Sequence, residues 1–358
     1  MPAKKKTAAA KKKPVTRKKT SAKKRPATTV AFDPSAAAAP GTGIFGLSQD
    51  RKSAAVHLIP VPFEATTSYG GGTAKGPRAM VAASHQIDLY DLDNGNPWEA
   101  GIFMLPEAAA IKKLNAAAKP RAQRVVKAGG PGTSKSLQRD CDLVNQSCEK
   151  LNGLVRAAAK KALDAGKLVG LVGGDHGTPF GLIEELVFRH PGLGILHFDA
   201  HHDLRPAYEG FVWSHASIMH NVMTRLSNVE RLVQVGIRDF SEEEAAFVRD
   251  SDRHVIAHYD QELRRAQFEG VSFNHVAEAI VRELPDEVYV SFDVDGLDPK
   301  LCPNTGTPVP GGLQFAEAIH ILDLVVRSGR RIVGFDLVEV APGKDEWDAA
   351  VGARLLYK

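Results

Sequence analysis

The sequence predicts a three-layer α/β/α fold on a mostly parallel sheet, and three observations predict it. Short apolar runs rich in Val, Ile and Leu recur from residue 55 onward, with helical segments between most of them. Such continuous apolar strands are expected where helices cover both faces of a sheet, and strand–helix alternation implies parallel pairing. Three of the runs close on acidic and imidazole side chains, and in parallel α/β sheets ligands bind beyond the carboxyl ends of the strands.

The first residues stand apart. Twelve cations (Lys4, Lys5, Lys6, Lys11, Lys12, Lys13, Arg17, Lys18, Lys19, Lys23, Lys24 and Arg25) are interleaved with Ala, Pro and Thr, and no acid precedes Asp33. Without them 34 Lys and Arg face 42 Asp and Glu, so the body carries about −8 although the chain as a whole carries +4. A block of this composition cannot bury apolar surface. Residues 1–28 are therefore expected to be a disordered basic tail, solvated or holding nucleic acid weakly through phosphate neutralisation. Residues 29–54 read as an N-terminal arm, and residues 55–358 as one domain without internal repeats.

No apolar run reaches the roughly 18 residues of a membrane span, and no apolar segment of the secretory kind follows the basic run. Cys141, Cys148 and Cys302 lack a zinc or redox spacing and read as free thiols. A cytoplasmic location is the expectation.

Along the domain, a strand at 55–61 runs into the Gly-rich loop Thr66–Thr73. Residues 105–165 are rich in Ala, Lys and Leu and read as helical, with a break at Gly129–Gly132. Further strands are expected at 168–172, 194–199, 231–236, 254–258, 287–293 and 331–336.

Three motifs carry chemistry: Gly173-Gly174-Asp175-His176, Asp199-Ala200-His201-His202-Asp203 and Ser291-Phe292-Asp293-Val294-Asp295-Gly296. A buried unpaired carboxylate is very costly, so acids closing apolar strands call for a compensating cation. Oxygen ligands dominate His176, Asp199, His201, Asp203, Asp293 and Asp295, with imidazole second and no sulfur. That set suits Mn²⁺ and tolerates Ni²⁺. On extended backbone, Asp199, His201 and Asp203 would share one side, as would Asp293 and Asp295. Two such clusters can clamp a pair of divalent ions ~3.5–4 Å apart and make a water acidic near neutral pH.

With these motifs the chain, from about residue 55 to its end, resembles the ureohydrolase family of arginases and agmatinases. Thr305–Gly312 and Asp336–Pro342 support the resemblance, and the loop Thr66-Thr67-Ser68-Tyr69 with Gly76-Pro77-Arg78 looks agmatinase-like. The resemblance implies an arginase-like fold and two divalent ions per subunit. One ion would be held by His176, Asp199, Asp203 and Asp293, the other by Asp199, His201, Asp293 and Asp295. It also implies hydrolysis of a guanidino compound to urea and an amine, and assembly as a homotrimer or homohexamer. Glu339 would hold the guanidinium, and His215 would shuttle protons to the leaving amine.

The substrate is read from the mouth. Agmatine leads, with guanidine or a guanidino acid, arginine and formiminoglutamate as alternatives; the first of these carries an expectation of nickel. Arg205 would receive a carboxylate or pair with Glu209, whereas Glu209 and Asp239 would suit a cationic amine. His202 reads as core or as a partner of the ligands. A silent, nucleic-acid-tethered binding protein is the rival of a different class. It would have no need of six charged groups in an apolar interior.

Overall fold

The structure, a computed structural model, describes residues 1–3, 32–39 and 41–358. All but the first three residues of the expected tail lie outside the described residues. Met1–Asp33 and Pro34–Lys358 are separate units, and the second carries the fold.

Among the described residues eight strands form one sheet: β1 (Val56–Val61), β2 (Ile102–Met104), β3 (Leu168–Gly173), β4 (Leu193–Phe198), β5 (Val229–Ile237), β6 (Val255–Tyr259), β7 (Glu287–Asp293) and β8 (Arg331–Val338). Their order is β2-β1-β3-β8-β7-β4-β5-β6, and every pairing is parallel. Seven of these strands lie where the apolar runs predict them. The three-residue β2 is missed, because Ile102-Phe103-Met104 is too short to show a period and is an edge strand, half-buried throughout.

Two apolar cores give the three layers. One joins Ile59, Leu171, Ile195 and Tyr289 of the sheet to the helices Ala109–Lys127, Lys135–Leu163, Phe180–Arg189 and Ile218–Arg225. The other joins Leu58, Val172, Leu196 and Val290 to the helices Gly76–Ser84, Phe273–Arg282, Phe315–Arg327 and Trp347–Tyr357. Successive strand residues face opposite layers, which is why Ile195 and Leu196 belong to different cores. The two Ala-rich helices expected within 105–165 are present and are separated near Gly129–Gly132. Part of the arm is core: Ile44, Phe45 and Leu47 are buried, and Phe45 packs at 4.9 Å on Tyr357.

Helix starts follow from local capping chemistry. Ser241 and Glu244 form a reciprocal capping box ahead of Glu242–Asp250, and Ser134 and Ser272 cap the helices that follow them. Each cap satisfies backbone N–H groups that a first helical turn leaves unpaired. The central strands β3, β8, β7 and β4 consequently end side by side at one rim, where the three motifs lie.

Candidate metal centre

Each motif leaves its strand through a tight turn that fixes its side chains. Gly174 is required after β3, because a Cβ there would lie 1.9 Å from the Phe63 carbonyl oxygen. Past β4, the strand conformation expected through residue 203 is not kept. The strand ends at Phe198, and Asp203 takes a left-handed conformation with φ of 54°. After Asp293 a 3-10 turn, Val294–Gly296, replaces extended chain; the Asp293 side chain caps it by accepting the Asp295 N–H at 2.8 Å. Convergence therefore comes from turns rather than from strand alternation. Glu339 is also left-handed, with φ of 62°. Backbone strain of this kind costs about 1–3 kcal/mol per residue and concentrates at functional sites.

The six residues meet in two overlapping groups. His176 Nδ1 lies 3.0 Å from Asp199 Oδ2, 3.1 Å from Asp203 Oδ2 and 3.4 Å from Asp293 Oδ2. His201 Nδ1 lies 3.4 Å from Asp199 Oδ1 and 3.1 Å from Asp295 Oδ2. Asp199 thus offers one oxygen to each group. Metal–ligand bonds of ~2.0–2.2 Å place neighbouring ligand atoms about 3 Å apart, so the spacing and chemistry of these donors fit a pair of divalent cations.

The electrostatics agree. Burial, then repulsion from Asp295 and Asp199, drives Asp293 far above the usual carboxylate range. Burial, Asp293 and Asp175 do the same to Glu339, while burial and Asp199 push Asp203 up to about 6. Burial opposes protonation of His176, yet Asp199, Asp203 and Asp293 push it well above its ordinary value. By itself the cluster holds more negative charge than its surroundings neutralise, and a bound dication reverses that balance.

One layer beneath lies a row of buried polar side chains. Gln234, His197, Ser291 and Asp336 sit in register on β5, β4, β7 and β8. Tyr289 Oη donates to Asp336 Oδ2 at 2.7 Å, and Ser291 Oγ donates to Oδ1 at 3.2 Å. Ser291 is left to accept from His176 Nε2 at 2.9 Å, which turns the Nδ1 lone pair toward the carboxylates. His202, singled out in the sequence, is fully buried in this layer, with Nδ1 2.7 Å from Gln234 Oε1. Sequence reasoning missed His197, Gln234 and Asp336. The available signal was a polar residue inside an otherwise apolar strand.

Beside the cluster, Glu339 Oε1 accepts the His176 backbone N–H at 3.0 Å, while Oε2 is buried without a hydrogen-bond partner among the described residues. A Cβ on Gly306 would stand 3.1 Å from that Oε2 and 3.4 Å from the Thr67 methyl, so the first loop and residues 305–307 enclose it. His215 is buried in a 3-10 turn, with Nε2 3.4 Å from Ser68 Oγ and its backbone N–H donating to Thr66 Oγ1 at 3.3 Å. Thr66 Oγ1 in turn donates to Asp175 Oδ2 at 3.0 Å, latching two loops to the His215 segment.

The mouth residues divide. Arg205 does not pair with Glu209: its Nε lies 3.4 Å from Glu244 Oε2, and its guanidinium sits 5.0 Å over the Tyr208 ring. Glu244 is buried by the capping turn at Ser241, so it outcompetes the strained Glu209, whose φ is 50°. Glu209 Oε2 is buried and has no hydrogen-bond partner among the described residues, and burial raises its carboxyl above the ordinary value. Asp239 is exposed, 4.0 Å from His201 Nε2.

A parallel α/β scaffold carrying an Asp- and His-lined candidate two-ion site at its carboxyl rim defines a class of metal-dependent hydrolases. The chain belongs to the arginase family, whose model matches residues 54–358. It is 31% identical over 307 residues to an N(1)-aminopropylagmatine ureohydrolase of Thermus thermophilus, covering 86% of this chain and 89% of that protein. An agmatinase of Bacillus anthracis is 28% identical over 303 residues, covering 82% and 86%. Among solved structures, proclavaminate amidinohydrolase from Streptomyces clavuligerus superposes with a TM-score of 0.69 at 22% identity, over 90% of this chain and 98% of that one. The fold expected from the sequence is the fold found, and the chain is a hydrolase of this family.

Proposed function

We propose that the protein hydrolyses a guanidino compound bearing a cationic tail, agmatine or a close relative of it, to urea and an amine. The observation that carries this reading is the unpartnered Glu339 Oε2 beside the ligand cluster. A buried carboxylate oxygen without a donor is costly, and a planar guanidinium is the partner whose geometry suits a carboxylate best.

His176, Asp199, Asp203 and Asp293 would hold one ion, and Asp199, His201, Asp293 and Asp295 the other, with Mn²⁺ favoured by the donor set and Ni²⁺ tolerated. When bound, the ions neutralise the carboxylates and acidify a water for attack. The remaining work falls to the chain. Glu339 orients the guanidinium. His215, pushed down to about 4 by burial and by His201, is neutral at physiological pH and able to take up a proton at Nε2 beside Ser68 and pass it to the leaving amine.

The tail preference rests on the mouth. Arg205 is occupied by Glu244, while Glu209 and Asp239 present carboxylates. That arrangement favours an ammonium tail over the carboxylate of arginine, a guanidino acid or formiminoglutamate. The names of the curated relatives point the same way. Homotrimeric or homohexameric assembly, a cytoplasmic location and weak nucleic-acid binding by the basic tail complete the proposal. The test is urea release from agmatine, N(1)-aminopropylagmatine, guanidine, guanidino acids and arginine, with Mn²⁺ and Ni²⁺ compared. Turnover confined to guanidine or to acids would reject the cationic-tail assignment.

A further inference from the structure

We propose that Gln234 is a positioning residue that sets the tautomers of His197 and His202, and so orients the Asp199 carboxylate toward both ions. The proposal rests on the metal reading above, in which Asp199 would belong to both ligand sets. His197 Nε2 lies 2.8 Å from Asp199 Oδ2, Gln234 Nε2 lies 2.9 Å from His197 Nδ1 and 2.9 Å from the His202 carbonyl oxygen, and Gln234 Oε1 lies 2.7 Å from His202 Nδ1. All four side chains are fully buried or nearly so.

Two acceptors fix every direction in this chain. An ionised carboxylate only accepts, so His197 carries its proton on Nε2 and presents a lone pair at Nδ1. A backbone carbonyl also only accepts, so the Gln234 amide nitrogen must face His202 O. Its second N–H then meets the His197 Nδ1 lone pair. Gln234 Oε1 is left facing His202, which therefore donates from Nδ1. The two ends were free to conflict, and they demand the same orientation of one amide.

The remaining atom bears this out. His202 Nε2 is buried without a hydrogen-bond partner among the described residues, and the His202 ring lies 4.9 Å from the Phe240 ring and 5.6 Å from the Tyr259 ring, centre to centre. A bare lone pair there is less costly than a stranded N–H cation. Asp199 Oδ1 is separately held by the His201 backbone N–H at 2.7 Å, so each oxygen has one donor and keeps lone pairs for ions.

Neutron diffraction from deuterium-exchanged crystals of the full-length, metal-loaded protein reads the assignment directly. The expected result is deuterium on His197 Nε2 and His202 Nδ1 alone; deuterium on His197 Nδ1 would overturn the proposal. Equilibrium dialysis against Mn²⁺ with elemental analysis reads the consequence. Gln234→Leu and Gln234→Glu should both raise the Mn²⁺ concentration needed to half-fill the site, by roughly 10-fold or more. Gln234→Glu keeps the shape and loses the donors, so wild-type affinity in that variant would reduce Gln234 to packing and refute its positioning role. A wild-type protein that binds no divalent ion would instead remove the metal reading, while the deuterium positions would still be read from metal-free crystals.

Discussion

Glu339 Oε1 accepts the backbone N–H of His176 at 3.0 Å, so the carboxylate proposed to hold the guanidinium is tied to the imidazole at the centre of the first donor group. Glu339 and His176 cannot shift independently. Gln at position 339 keeps this contact through its carbonyl oxygen and loses only the charge. Glu339→Gln is expected to lower kcat/KM by about 10²–10³, in line with the ~2–5 kcal/mol of a buried charged hydrogen bond. Metal content should be unchanged. Wild-type kcat/KM in this variant would remove Glu339 from the guanidinium site.

Thr66 Oγ1 is donor to Asp175 and acceptor for the His215 backbone N–H, and it therefore fixes the segment that carries His215, the proposed proton carrier. Thr66→Val strips the buried His215 N–H of its acceptor, at about 1–3 kcal/mol, and leaves Asp175 Oδ2 with the longer bond from the Thr66 backbone N–H at 3.3 Å. Steady-state kinetics should show kcat falling about 10-fold or more with KM little changed, and Thr66→Ser restoring most of the loss. Equal losses in the Val and Ser variants would speak against the latch.

His215 is depressed to about 4 from an ordinary 6.5, first by burial and then by His201. Between those values the unfolded chain binds the proton and the folded chain does not. Stability from this residue is therefore complete above pH 6.5 and is lost as pH falls toward 4. His215→Asn lacks the titration, so the wild-type excess loss on acidification should reach roughly 3 kcal/mol. Denaturant unfolding of both proteins from pH 8 to pH 4 measures it. Parallel curves would contradict a neutral buried His215.

Deleting residues 1–28 should leave turnover unchanged and reduce retention on immobilised DNA at low salt, where phosphate neutralisation is strongest. Undiminished retention would place any polyanion binding on the folded body.

The fold was legible because parallel strands covered on both faces are mainly apolar, and seven of the eight are long enough to show it despite polar interruptions such as His197 and Gln234. Convergence of the acidic and imidazole groups was legible from three motifs at strand ends, although the route was not. Turns at Asp203 and Val294–Gly296, set by side-chain capping and positive φ, replace the extended chain that alternation suggested. The buried partners were harder to read. His197 and Gln234 are 37 residues apart and meet only because β4 and β5 pair in that register. Arg205 shows the same limit, since its pairing with Glu244 depends on where the following helix begins.

Asp199 divides its oxygens between the two ligand groups, so the central claim concentrates on one side chain. Elemental analysis and urea release measured together on Asp199→Ala test it most directly. The wild-type protein should carry two divalent ions per subunit and release urea from agmatine or its relative, and the variant should lose the ions and the turnover together. A folded variant that still hydrolyses the substrate at the wild-type rate would contradict the account.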